Sequence, residues 1–105
     1  MNYKPLRDEF NKRGLHYVLI DRCEKFGLFK LEIQSYTGKT VLVGYEVSPI
    51  RKYPPLKRLK EKGEMLPIEA IVTNEDFQVL GGKAFFPEDY VRAITYFLLK
   101  RDSME

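Results

Sequence analysis

The residue types that carry chemistry are few in this chain, and most of them fall in one stretch. Between Arg51 and Glu64 stand six basic residues, Arg51, Lys52, Lys57, Arg58, Lys60 and Lys62, with Tyr53 among them and only Glu61 and Glu64 opposing. The whole chain carries +3, so the remainder is slightly acidic and the positive charge is concentrated here. Lysine and arginine at this density can neutralise phosphates or acidic side chains, and a tyrosine between them can stack on one base. The competing reading is a solvated surface loop, since charged runs commonly serve as one.

Elsewhere the candidates are thinner. The lone histidine, His16, and the lone cysteine, Cys23, would have to anchor any nucleophile–base–carboxylate set. Against that stands a partly buried strand histidine and a spare thiol, and the chain is not expected to be an enzyme. Two acidic pairs, Glu75-Asp76 and Glu88-Asp89, could hold a hard cation if their loops folded together. They equally suit a turn and the positive end of a helix dipole, and EF-hand spacing is missing. Gly81-Gly82-Lys83 suggests a phosphate loop, but Ala84 stands where a Ser or Thr would ligate magnesium. A bulge or turn accounts for it better. No catalytic residue, cofactor or metal is therefore expected.

A chain of 105 residues with 44% apolar and 31% charged residues, and with seven Phe and seven Tyr, suits one domain spanning 1–105. A domain of this size buries only about two-thirds of its unfolded surface, which leaves little room for an enclosed substrate cavity. The start of the chain lacks the apolar stretch of a secretory signal, and no run reaches the roughly 20 apolar residues that cross a bilayer. A cytoplasmic location without membrane contact is the expectation. One cysteine cannot form an internal disulfide.

The elements that must position these residues follow from periodicity. Leu6 and Phe10, after Pro5 and before Gly14, are spaced for a short N-terminal helix over 1–13. From Leu15 the period becomes two, which predicts strands over 15–21, 26–34 and 40–47 joined by turns at 22–25 and 35–39. Val41, Val43, Tyr45 and Val47 form the apolar face of the third. Pro49, Pro54 and Pro55 are expected to end regular pairing, because proline has no N–H for a ladder. A basic, Pro-containing excursion over 51–67 follows, with a helical turn or two over 56–62. Next come a short fourth strand over 68–72 and a helix over 87–101. The helix stripe of Tyr90, Ala93, Ile94, Phe97 and Leu98 needs an apolar partner, and the valine face supplies it. The fold class is α+β, an antiparallel meander of three to four strands backed by a C-terminal amphipathic helix.

The second half also resembles a loosely defined group of small uncharacterised proteins of bacteria, phages and mobile elements. The residues that carry the resemblance are Gly44-Tyr45-Glu46-Val47, Ile50-Arg51-Lys52 and Asn74-Glu75-Asp76-Phe77, followed by an aromatic-rich strand and a final helix, over about 43–98. Gln78 departs from the glycine that the group would place after the Asp-Phe pair. The resemblance implies a sheet-plus-helix fold and brings no activity with it.

Two functional expectations result. One is a non-enzymatic binding module, an accessory protein of a mobile element, whose basic segment touches nucleic acid or another acidic partner. The other is a protein–protein or homodimerisation module, using apolar residues such as Val18, Ile20, Leu28, Leu42, Tyr96 and Leu99 on the less covered faces.

Overall fold

The computed structural model describes residues 2–55, 63 and 66–103, and among these the sheet has six strands rather than three or four. Strands β1 (Glu9–Lys12) and β2 (Leu15–Arg22) form a hairpin around Arg13-Gly14, both in the left-handed region at φ 55° and 76°. A two-residue turn of this kind matches strand twist, which is why a glycine sits there. The expected N-terminal helix is thus replaced by a strand. Leu6 and Phe10 lie four apart, a spacing that serves a period of two as well as one of 3.6, and both pack into the inner core.

Strand β3 (Phe26–Gln34) follows a tight turn in which Cys23 N–H donates to Phe26 O. It is covered on both faces. Phe26 and Leu28 face outward to a helix, while Phe29 and Leu31 face inward. Strand β4 (Thr40–Tyr53) is the spine of the molecule and runs through Pro49 rather than stopping before it. Its first ten residues pair with β3 over 40–49, and its end pairs with β5 (Ile68–Ile71) over 50–53. Pro49 stands where β4 changes partner. The N–H it lacks is not needed there, and its carbonyl accepts from Val72 N–H.

A short helix α1 (Asn74–Phe77) and a turn lead to β6 (Lys83–Phe85), which rejoins the same edge of β4 at Tyr45–Val47. Gly44 is required at that junction, because the Phe85 carbonyl fills the space a Cβ would need. The strand order β1-β2-β3-β4-β5, with β6 beside β4, curls into a half-barrel. A 3-10 turn with Pro87 in its first turn then starts α2 (Tyr90–Ser103).

Two cores result. The outer one packs Ala93 and Phe97 of α2 on Phe26, Leu28 and Val47, with Ile94, Tyr96 and Leu98 beside them. The inner one centres on Tyr17, Phe29, Leu31 and Ile71, with Phe10 stacked on Tyr17 at 5.1 Å and edge-on to Phe29 at 5.6 Å. Only half of the expected valine face meets the helix. Tyr45 and Val47 pack there, but Val41 and Val43 remain 51% and 41% exposed. The reason is a bulge: Leu31 pairs with Gly44 while Glu32 pairs with Leu42, so Val43 is an extra residue. One extra residue swaps the faces, and Val41 lands on the side of Leu31 instead. Leu28, expected on a less covered face, is 2% exposed under α2. No helix among the described residues is long and apolar enough to cross a membrane.

Candidate binding surface

The end of β4 carries the start of the basic run to the surface. Arg51 pairs across the ladder with Ala70 and Lys52 with Glu69, so alternation sends their side chains to opposite faces. Arg51 is exposed and reaches Asp76 only at 3.8 Å, an exposed ion pair of the kind that contributes little. The Lys52 ammonium is 4.1 Å from the Tyr3 ring, a cation–π contact that steadies the side chain of an exposed residue. Lys25 lines the same shallow recess of about 210 Å3 as Arg51, Lys52 and Ile50, together with Glu24 and Glu69. Tyr53 is half-buried, and its covered hydroxyl has no hydrogen-bond partner among the described residues. Lys57, Arg58, Lys60 and Lys62, and the helical turn expected around them, lie outside the described residues.

Glu69 beside this surface does not cancel its charge. Arg22 grips it with two bonds, Nη1 to Oε1 at 2.6 Å and Nη2 to Oε2 at 2.9 Å, and Leu6 N–H adds a third at 2.8 Å. The Arg22 hydrogen bonds hold the Glu69 carboxyl below the usual carboxylate range. Lys25, Arg51 and Lys52 border the recess, whose lining holds one exposed carboxylate, Glu24, while Asp76 lies beside Arg51 on its own face of the sheet.

The remaining candidates are not assembled. His16 and Cys23 sit at opposite ends of β2, and seven residues of strand put them roughly 20 Å apart. His16 instead contacts Asn11 at 3.0 Å and Glu9 at 3.6 Å, and Cys23 packs against the outer core. Among the described residues, no three His, Cys, Asp or Glu side chains converge as a metal site would require. Glu75 and Asp76 lie in the first turn of α1, with Thr73 at its N-cap, and Glu88-Asp89 lie in the 3-10 turn. Gly81-Gly82-Lys83 makes a reversal: the Tyr96 hydroxyl donates to Gly81 O at 2.6 Å, and Lys83 Nζ lies 5.5 Å from the rings of Phe85 and Tyr96.

One polar cluster was not foreshadowed by the sequence. Glu46, placed on the wetter face of its strand by alternation, is 6% exposed inside the half-barrel. Tyr17 Oη donates to its Oε2 at 3.2 Å, and Arg13 approaches Oε1 at 3.6 Å. Burial raises the Glu46 carboxyl above the usual range, and burial likewise pushes Tyr17 up to about 12. The one sequence signal was a glutamate flanked by Tyr45 and Val47 in the most regular strand, which also describes a solvent-facing residue. Its surroundings lie far away in sequence. No protein-family model, curated protein or solved structure matches this chain, so what its surfaces do is argued from its own residues.

Proposed function

We propose that this protein acts by binding rather than catalysis, and that its basic face contacts the phosphate backbone of a nucleic acid or another acidic surface. That surface would wrap the end of β4, with Arg51 on one side of the strand and Lys52 on the other, Lys25 beside them, and the Lys57–Lys62 run that follows in sequence. The observation that carries the reading is the exposure of Arg51 and Lys52 on a rigid strand, with no short ion pair among the described residues to occupy either head. The ladder has already ordered their backbone, so a partner has only the side chains left to order.

The test is a titration with labelled duplex and single-stranded oligonucleotides, and with polyglutamate as the acidic competitor, over a range of salt. Affinity should fall steeply as salt rises, and the triple change Lys57→Glu, Arg58→Glu, Lys60→Glu should flatten that dependence by about one unit of slope for each phosphate no longer neutralised. Salt-independent binding, or none at low salt, removes the reading. Preference for polyglutamate over either oligonucleotide assigns the face to an acidic protein.

A second reading has its own observation. Ile33, Val41, Val43 and Phe86 are exposed, and Phe86 and Val43 border a recess of about 250 Å3 walled by Leu31, Tyr45, Ala84 and Phe85. A two-fold dimer would let Phe86 of one copy fill the recess of the other. Sedimentation at high concentration should then show a dimer that Phe86→Glu dissolves. A monomer throughout ends this alternative.

A further inference from the structure

The half-barrel is left open between its end strands. β1 and β5 share no ladder, and two devices span the space between them. At one end, the segment before β1 makes a single parallel bridge to β5: Lys4 N–H donates to Pro67 O and Glu69 N–H donates to Lys4 O, both at 2.8 Å. The ladder goes no further, because Leu6 N–H turns to the Glu69 carboxylate. At the other end, Lys12 Nζ donates to Ile71 O at 3.4 Å and Val72 O at 3.2 Å, where the N–H groups of a neighbouring strand would otherwise stand. Between these ends lies a groove of about 350 Å3, a size at which ligand sites begin.

Register identifies the main-chain groups that face it. Val72 N–H points to β4 and Glu69 N–H points away from it. Alternation therefore turns Glu69 C=O and Ile71 N–H toward the groove. On β1, Leu19 N–H donates to Asp8 O, so Phe10 and Lys12 bond β2 while Asn11 N–H and C=O face outward. Among the described residues, neither the Ile71 N–H nor the Asn11 backbone groups have a main-chain partner. The groove is lined by Leu6, Phe10 and Ile71 of the inner core. Arg7 on its rim is exposed and has no ion pair among the described residues, and the one carboxylate in the lining, Glu69, is occupied by Arg22.

We propose that this groove receives an extended, acidic peptide segment of a partner protein. The segment adds a short strand along the β5 edge, sets an apolar side chain on Leu6, Phe10 and Ile71, and pairs a carboxylate with Arg7. Free main-chain groups on both walls favour a strand over a ligand held by its side chains alone, and the cationic rim selects its charge. This proposal stands apart from the basic face at the end of β4 and survives the failure of that reading.

The experiment is amide exchange and chemical-shift NMR on the full chain, titrated with five probes. These are a capped six-residue peptide alternating valine and glutamate, its lysine counterpart, the glutamate peptide N-methylated at alternate positions in either register, and decanoate. The glutamate peptide should slow exchange at Ile71 and Asn11, the lysine peptide should bind about tenfold more weakly, and N-methylation in at least one register should abolish the protection. Arg7→Glu should invert the preference between the two charged peptides, an outcome that mere loss of stability cannot produce. The proposal is overturned if no peptide protects Ile71 at millimolar concentration. N-methylation overturns the proposal only if both registers leave the protection unchanged, and so does displacement of the glutamate peptide by decanoate at matched concentration, which would make this a site for apolar anions.

Discussion

Glu46 and Glu69 occupy the same inner face of the half-barrel and are almost equally covered, at 6% and 5% exposed, yet their surroundings push them in opposite directions. Glu69 takes two short bonds from the Arg22 guanidinium, so the charged form is held and the carboxyl titrates low. Glu46 has only a shared cation. Arg13 also donates to Asn74 Oδ1 and, at 2.8 Å, to Tyr17 Oη, which leaves 3.6 Å to Glu46 and Oε1 without a hydrogen bond. Burial then dominates and the carboxyl titrates high. The two sites show that burial does not set the state of a carboxylate by itself. It is decided jointly by how strongly the carboxylate is desolvated and by whether a guanidinium reaches it with hydrogen bonds.

The backbone explains the difference in reach. The irregular register between Leu19 and Asp21 turns the end of β2 so that Arg22 meets Glu69 47 residues away in sequence. Arg13 instead sits in the two-residue hairpin turn, held at φ 55°, and serves as a clasp from that hairpin to the start of α1. Lys12 beside it is part of the same clasp. Its ammonium donates to the Ile71 and Val72 carbonyls, while burial lowers its pKa.

The contrast can be broken most forcefully at Arg22. Arg22→Ala strands a buried carboxylate and should cost about 3–5 kcal/mol in urea unfolding. A loss under about 1 kcal/mol would mean that Glu69 is not held as described. Glu69→Gln keeps the shape but removes the charge-assisted bonds, for a loss of about 2 kcal/mol at neutral pH. Tyr17→Phe withdraws the hydroxyl from both Glu46 and Arg13 and should cost about 1–2 kcal/mol by the same unfolding measurement.

The smallest change should have the opposite sign. Glu46→Gln removes a poorly compensated buried charge and should leave stability unchanged or raise it by about 1 kcal/mol at neutral pH. The pH profiles separate the two residues. A carboxyl lowered in the folded state stabilises above its unfolded pKa and loses that contribution as pH falls through its folded value, so Glu69→Gln should flatten the acid limb of the stability curve. A carboxyl raised in the folded state favours folding below its unfolded pKa and loses that contribution as pH rises through its folded value. Glu46→Gln should therefore flatten the decline on the rising-pH side of the carboxylate range. Identical pH profiles for the two variants would erase the distinction.

Much of the framework was legible along the chain. Strand β3 begins and ends at Phe26 and Gln34, as alternation between turn residues requires, and β4 begins at Thr40 after the Ser35–Lys39 turn. Helix α2 was marked by Pro87, by the Ala93/Phe97 stripe and by Lys100 and Arg101 in its last turn. The first hairpin was not legible, because a four-residue spacing of Leu6 and Phe10 serves two periodicities. Nor was the continuation of β4 past Pro49, because whether a proline breaks a ladder depends on which neighbour needs its N–H. For the candidate surface, the charge run was visible, but Lys52 over Tyr3 and the masking of Glu69 by Arg22 were not.

By itself the sequence determined what depends on neighbours a few residues away: the turns, the period of each strand, the amphipathic last helix and the basic character of the 51–62 stretch. Tertiary structure alone decided what depends on residues far apart. It placed the bulge that sends Val41 away from the helix, the opposite fates of Glu46 and Glu69, and the open groove between β1 and β5. Local backbone preference can specify an element, but the state of a buried charge and the pairing of an edge depend on atoms that only folding brings within a few ångströms.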